Sequence, residues 1–116
     1  TLWEDLDGYI ANSPLLFADK IHTPVLIFHC DQDEAVSFYD GRNLFLALRR
    51  LQRPVWMLNY MGQGHFLTSR PAEVDWTIRL QQFFDHYLKD IPMPRWMKEG
   101  ININERGMDQ KYDLVR

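Results

Sequence analysis

The chain holds a single cysteine, Cys30, among its 116 residues. One thiol forms no intrachain disulfide, so cysteine usage does not assign a redox compartment and the localisation stays open. There is no apolar run near the roughly 18 to 20 residues a membrane-spanning helix needs, which excludes a spanning helix in this chain. Positive charge is also short: the formal net charge is −3. Duplex binding rests on clustered Lys and Arg neutralising phosphates, so no nucleic-acid partner is expected. No initiator Met and no signal-like start is present, and Thr1-Leu2-Trp3-Glu4-Asp5 reads as the interior of a longer chain. Low-complexity tracts are missing too. What remains is ordinary for a globular domain, with 46% apolar and 25% charged residues and a good supply of aromatics.

The organising stretch is Val25-Leu26-Ile27-Phe28-His29-Cys30-Asp31-Gln32-Asp33-Glu34-Ala35-Val36. Four apolar, mostly β-favouring residues run without polar interruption and then break into a short acidic loop. This is the pattern of a buried parallel strand that ends in a functional turn. A second unit of the same kind runs from Pro54 to Asn59 and opens into Tyr60-Met61-Gly62-Gln63-Gly64-His65-Phe66. If the two strands are parallel neighbours joined by a right-handed crossover, their carboxyl ends lie on one edge of the sheet. Ligands of open α/β sheets bind at that edge. Asp33 and His65, 32 residues apart, are then expected to face each other.

The other segments fill in around these two. Leu2, Trp3, Leu6, Tyr9 and Ile10 are spaced as one face of a short helix. Asn12-Ser13-Pro14 marks a turn, and Leu15 to Ala18 one helical turn. Leu44, Ala47, Leu48 and Leu51 recur at i, i+3, i+4 and i+7, predicting an amphipathic crossover helix from Ser37 to about Arg50. Thr68-Ser69-Arg70-Pro71 offers a hydroxyl cap and a first-turn proline to a helix running to about Lys89. Val74, Ile78, Phe84 and Leu88 form its apolar side, widened by Trp76, Leu80, Phe83 and Tyr87, and it is expected to pack on the sheet. Residues 91–116 are expected to be an irregular tail, not a regular helix over Ile91 to Met97, docked through Trp96.

His65 follows Gly62 and Gly64, which allow the sharp turn that brings an imidazole to a sheet edge, where a general base belongs. Taken singly, His65 also reads as a solvated loop histidine, and Asp33 as a turn aspartate bonding its own backbone. Taken together they match the acid and base of a hydrolytic triad, whose chain order in α/β-hydrolases is nucleophile, acid, His. The nucleophile is missing. No G-x-S-x-G occurs, and Ser13, Ser37 and Ser69 lack the glycine-flanked setting of a nucleophile elbow.

Ser13-Pro14-Leu15, Ala18 to Ile27, His29 to Val36 and Gly62-Gln63-Gly64-His65, in this order and spacing, resemble the carboxyl-terminal part of the catalytic domain of the prolyl oligopeptidase family of serine peptidases. The likeness is greatest to the dipeptidyl-peptidase IV and acylaminoacyl-peptidase branches and covers about residues 9 to 100. It implies an α/β-hydrolase fold, here a fragment with a short parallel sheet flanked by helices. It also implies a peptide substrate in the full-length protein, no cofactor and no metal. Full-length members of the family add a β-propeller that restricts them to short peptides. The family pattern G-x-x-D-x-x-V falls on Cys30 to Val36, which makes Asp33 rather than Asp31 the triad acid, and G-x-G-H makes His65 the base. Two departures stand in the acid loop, Cys30 where Gly is usual and Ser37 where Pro is usual. They bear on loop shape, not on a catalytic position.

Other readings are an esterase or acyl hydrolase without a propeller, and a non-catalytic interaction module. A third takes Asp31 and Asp33 as a Mg²⁺-holding pair of a phosphoryl-transfer enzyme. It lacks a strand-end nucleophile and the Lys and further acids such a site uses. A fragment is further expected to leave a sheet edge and an apolar helix face uncovered and so to form a homo-oligomer.

Overall fold

Val25–Cys30 forms strand β1 and Val55–Tyr60 strand β2, and the two pair in parallel from Val25↔Val55 to Cys30↔Tyr60. The computed structural model describes residues 1–33, 37–63 and 67–116, with the side chain of Ile103 left aside. By internal contacts the chain divides into two units, Thr1–Phe66 and Leu67–Arg116.

In the first unit, helix α1 spans Leu6–Ala11, and Asp5 caps it by accepting the Gly8 N–H at 3.0 Å. A 3-10 segment, Pro14–Lys20, is kinked at Phe17 and leads to β1. Helix α2, Phe38–Arg50, is the crossover between the strands. Ser37 caps it, its hydroxyl accepting the Tyr39 N–H at 3.3 Å. It ends where Gln52 takes a left-handed φ of 57° and the Arg53 N–H bonds back to the Leu48 carbonyl at 2.9 Å. The expected crossover is therefore present as Phe38–Arg50 with Ser37 as its cap, and Leu48 is wholly buried in its last turn. Leu48 packs with Ala18 and Val55, and Ile21, Val25, Ile27, Leu44, Phe45 and Ala47 surround that cluster. Burial of this apolar surface drives α2 onto the sheet, and this fixes where the chain enters and leaves the strand ends.

Gly41 has a steric reason to sit inside α2. A Cβ there would lie 2.9 Å from Cδ2 of His29 on β1. The missing side chain lets the helix approach the buried imidazole, which also stacks edge-on against Phe38 at 5.7 Å.

In the second unit, helix α3 runs over Arg70–Lys89, with Ser69 as cap residue and Pro71 in the first turn. Asp90 closes it in a left-handed conformation, φ 54°. Of the apolar side expected for α3, Phe83 is buried and Trp76, Ile78, Leu80 and Tyr87 are half-buried, whereas Val74, Phe84 and Leu88 are exposed. The covered side also includes the buried Arg79 and the half-buried Asp75 and Gln82.

The reason lies in the last residues, which are not frayed. Arg95–Glu99 forms a short helix, α4, within the stretch expected to be irregular. Pro94 is its cap residue, so the proline precedes the helix rather than interrupting it. Beyond α4 the chain returns antiparallel, pairing Pro94 with Leu114 through Arg95 N–H to Asp113 O at 2.7 Å and Val115 N–H to Met93 O at 2.8 Å. Arg79 is 2% exposed, and its guanidinium lies between the rings of Trp96 and Tyr112, at 5.3 and 4.9 Å. Its Nε donates to both Asp75 oxygens at 3.0 and 2.9 Å, and Nη2 donates to the Gln110 carbonyl at 3.2 Å. Trp96 is buried as the docking residue, its indole N–H donating to Gln82 Oε1 at 2.8 Å. Among the described residues, no helix is long and apolar enough to cross a membrane.

Candidate active site

Both strands of the first unit end at the same level. Cys30 and Tyr60 are the last matched pair of the parallel ladder, so the loops after them leave from one edge of the sheet. Asp33 lies three residues beyond Cys30. The loop after β1 turns at once, with the Asp33 N–H reaching the Cys30 carbonyl at 3.3 Å. The Asp33 side chain is half-buried. His65 lies five residues beyond Tyr60 and falls outside the described residues, as do Glu34–Val36.

The described parts of the two loops are fastened to each other. Asp31 Oδ1 accepts the Gly62 N–H at 2.7 Å, and the Gln32 N–H donates to the Gln63 carbonyl at 3.1 Å. Gly62 adopts φ 75°, a left-handed conformation that side chains disfavour, while a Cβ there would meet nothing within 4 Å. Its glycine is thus explained by backbone conformation rather than by crowding. These two bonds were not legible in the sequence, where Asp31 reads as one more acid in a turn.

The two departures from the family pattern have structural explanations. Cys30 is a strand residue, 1% exposed and in register with Tyr60, so it needs no glycine conformation. Ser37 supplies the cap of α2. Burial, and then the nearby negative charges of Asp33 and Asp31, raise the Cys30 thiol above its usual range. A buried thiol held protonated is a poor nucleophile. His29 is the other titratable group at the end of β1. Its Nδ1 is 2.9 Å from the N–H of Cys30, and its ring is enclosed by α2, which makes it a packing residue. Among the described residues, no three His, Cys, Asp or Glu side chains converge as metal ligands would. Asp31, one half of the Mg²⁺ reading, spends an oxygen on Gly62.

Comparison with known proteins places residues 1–90 in a match to the model of the prolyl oligopeptidase family. The chain is 34% identical over 79 residues to a dipeptidyl-peptidase 5 of Porphyromonas endodontalis, covering 68% of this chain and 11% of that protein. It is 31% identical over 74 residues to an acylamino-acid-releasing enzyme of Rattus norvegicus, covering 64% of this chain and 10% of that enzyme. An uncharacterised peptidase of Bacillus subtilis is 26% identical over 90 residues, 75% of this chain and 14% of that protein. The chain thus spans between 10% and 14% of the length of these relatives.

Proposed function

The chain belongs to the prolyl oligopeptidase family of peptidases, and on that premise we propose that it is the carboxyl-terminal part of a serine peptidase's α/β-hydrolase domain, contributing the acid and the base of the triad. Asp33 is the acid and His65 the base. The observation that carries this reading is the parallel register ending at Cys30↔Tyr60, which sends the loops bearing these two residues out from one sheet edge. That is the edge on which the sites of open α/β sheets are built.

In this mechanism His65 takes the proton of a serine hydroxyl as its oxygen bonds to a peptide carbonyl carbon. It then returns the proton to the amine nitrogen as the C–N bond breaks. Asp33 fixes the imidazole through its other nitrogen and stabilises the cation formed in between. The serine belongs to a part of the full-length protein that precedes this segment, since triad order in this fold is nucleophile, acid, base. By itself the 116-residue segment is inert toward peptides. The dipeptidyl-peptidase and acylamino-acid-releasing relatives make short peptides the substrate class to test first.

The test uses the full-length protein with a panel of short chromogenic peptides and matched esters, together with a fluorophosphonate that labels activated serines. Peptide cleavage and labelling that both vanish in Asp33→Asn and His65→Gln support the reading. Ester cleavage without peptide cleavage moves the protein to the acyl hydrolases. An unlabelled, inactive but folded protein favours the interaction module.

A further inference from the structure

We infer that Asp31 is a positioning residue of the site: its carboxylate holds the loop that carries the base to the loop that carries the acid. The inference rests on the assignment of Asp33 and His65 above and adds to it a residue that neither the family pattern nor the triad assigns.

Among the described residues, the ladder between the two strands ends at Cys30↔Tyr60. The Gly62 N–H lies two residues beyond the ladder on an exposed residue, and its acceptor is a side chain rather than a strand carbonyl. Asp31 provides it at 2.7 Å, a length typical of an amide donating to a charged oxygen, and such bonds are about twice as strong as neutral ones. The neighbouring backbone bond, Gln32 N–H to Gln63 O at 3.1 Å, fixes the same pair of loops at a second point. Two bonds at adjacent positions define both a distance and a direction between the segments. Asp33 lies two residues after Asp31, and His65 three residues after Gly62. Along the chain the clamp therefore falls between the strand ends and the two residues proposed as acid and base. Displacements of about 1 Å in such geometry cost as much as 10²-fold in rate. Asp31 has an oxygen on the neighbouring loop and stands one residue out of the strand, so it acts through His65 without touching substrate.

The experiment compares Asp31→Ala, Asp31→Asn and Asp31→Glu in the full-length protein with the wild type, measuring kcat, KM, the acid limb of the pH–rate profile and the melting temperature. Asn keeps an acceptor oxygen at the same reach and loses the charge, Ala loses both, and Glu keeps both but moves the oxygen one methylene further out. The expected result is a fall in kcat of about 10- to 100-fold for Ala with KM within about 2-fold, following the cost of misplacement. The Asn variant retains kcat within about 3-fold, the difference between a charged and a neutral acceptor. The acid limb moves to lower pH in Ala relative to Asn, because an imidazole held less well by Asp33 loses its proton more readily. If Ala fails to fold, the comparison of Glu with Asn decides: Glu below Asn in kcat at an unchanged melting temperature supports the clamp. Ala at wild-type kcat, or Asn as impaired as Ala, or Glu and Asn both at wild-type kcat, overturns it. Asp33→Asn and His65→Gln, measured in parallel, separate the two claims. Activity surviving in those variants removes the triad assignment itself, whereas their inactivity beside an unimpaired Asp31→Ala removes only the clamp.

Discussion

Gly41 of helix α2 and His29 of strand β1 are in such close approach that a methyl group on the glycine would stand 2.9 Å from the imidazole Cδ2. The helix interior thus accepts glycine's poor helix propensity in exchange for its approach to a buried ring. Gly41→Ala removes the propensity cost, worth up to about 1 kcal/mol. It introduces overpacking of about 1 to 3 kcal/mol against a ring whose other edge meets Phe38. The expected outcome is a net loss near 1 kcal/mol, read as a lower urea midpoint with an unchanged slope. A higher midpoint would mean that the ring has room to move aside.

Leu48 is the one large side chain of the crossover helix with no exposure at all. Leu48→Ala removes its packing on Ala18 and Val55 and is expected to destabilise by about 2 to 5 kcal/mol. Leu46→Ala, on the same helix but exposed, is the control and is expected to change stability by less than about 0.5 kcal/mol. Equal midpoints for the two variants would show that the cluster is not the core of this unit.

Tyr112 is predicted to give the second unit an alkaline limit. Burial, and then its hydrogen bond to the Asp75 carboxylate at 2.5 Å, push its phenol up to about 12 from the ordinary 10.0. The folded-state value lies above the unfolded one, so this contribution is fully present below the unfolded value near 10.0 and is lost as pH rises through about 12. Tyr112→Phe should therefore lose less stability than the wild type between those two values, as followed by thermal melting against pH. Tyrosinate absorbance should show one late-titrating phenol fewer in the variant. Parallel melting curves for the two proteins would rule out the coupling.

On the proposed assignment of Asp33 as the triad acid, Asp33→Asn in the full-length protein is expected to lower kcat by about 10⁴-fold with little change in KM, since an amide in that place favours the wrong imidazole tautomer. Asp31→Asn, with the same change of charge in the same loop, is the internal comparison. Equal losses in the two would reassign the effect to the loop's charge instead of to Asp33's role.

How much of this was legible in the sequence differs between the two units. For the first unit the sequence was nearly sufficient. The run Val25 to Cys30, the i, i+3, i+4 spacing of Leu44, Ala47 and Leu48, and the punctuation by Ser37, Gln52 and Pro54 each specify an element locally. All of them agree with one another, and the observed helix and strand bounds follow them closely. Asp33 is singled out over Asp31 by the resemblance to the family pattern G-x-x-D-x-x-V, since the strand-loop pattern alone leaves both acids in the same turn. In the second unit the extent of α3 was legible from Ser69, Pro71 and Asp90, but its buried side only in part. The apolar spacing points to Val74, Phe84 and Leu88 as well, whereas the covered face carries Asp75, Arg79 and Gln82 in their stead. Arg79 is buried and Asp75 and Gln82 half-buried because Trp96, Gln110 and Tyr112 return to satisfy and stack on them, and hydrophobic periodicity carries no record of such partners.

The sequence by itself determined the local elements, their order and the residue types at the two strand ends, because propensity, capping and apolar spacing act over a few residues. Tertiary structure alone decided that β1 and β2 end in register, that Arg79 is covered by the returning tail, and that Asp31 reaches across to Gly62. Each of these is a pairing between residues about 30 positions apart along the chain. Such pairings depend on burial and on the saturation of backbone and charged groups once the chain has folded, and those conditions exist only in three dimensions.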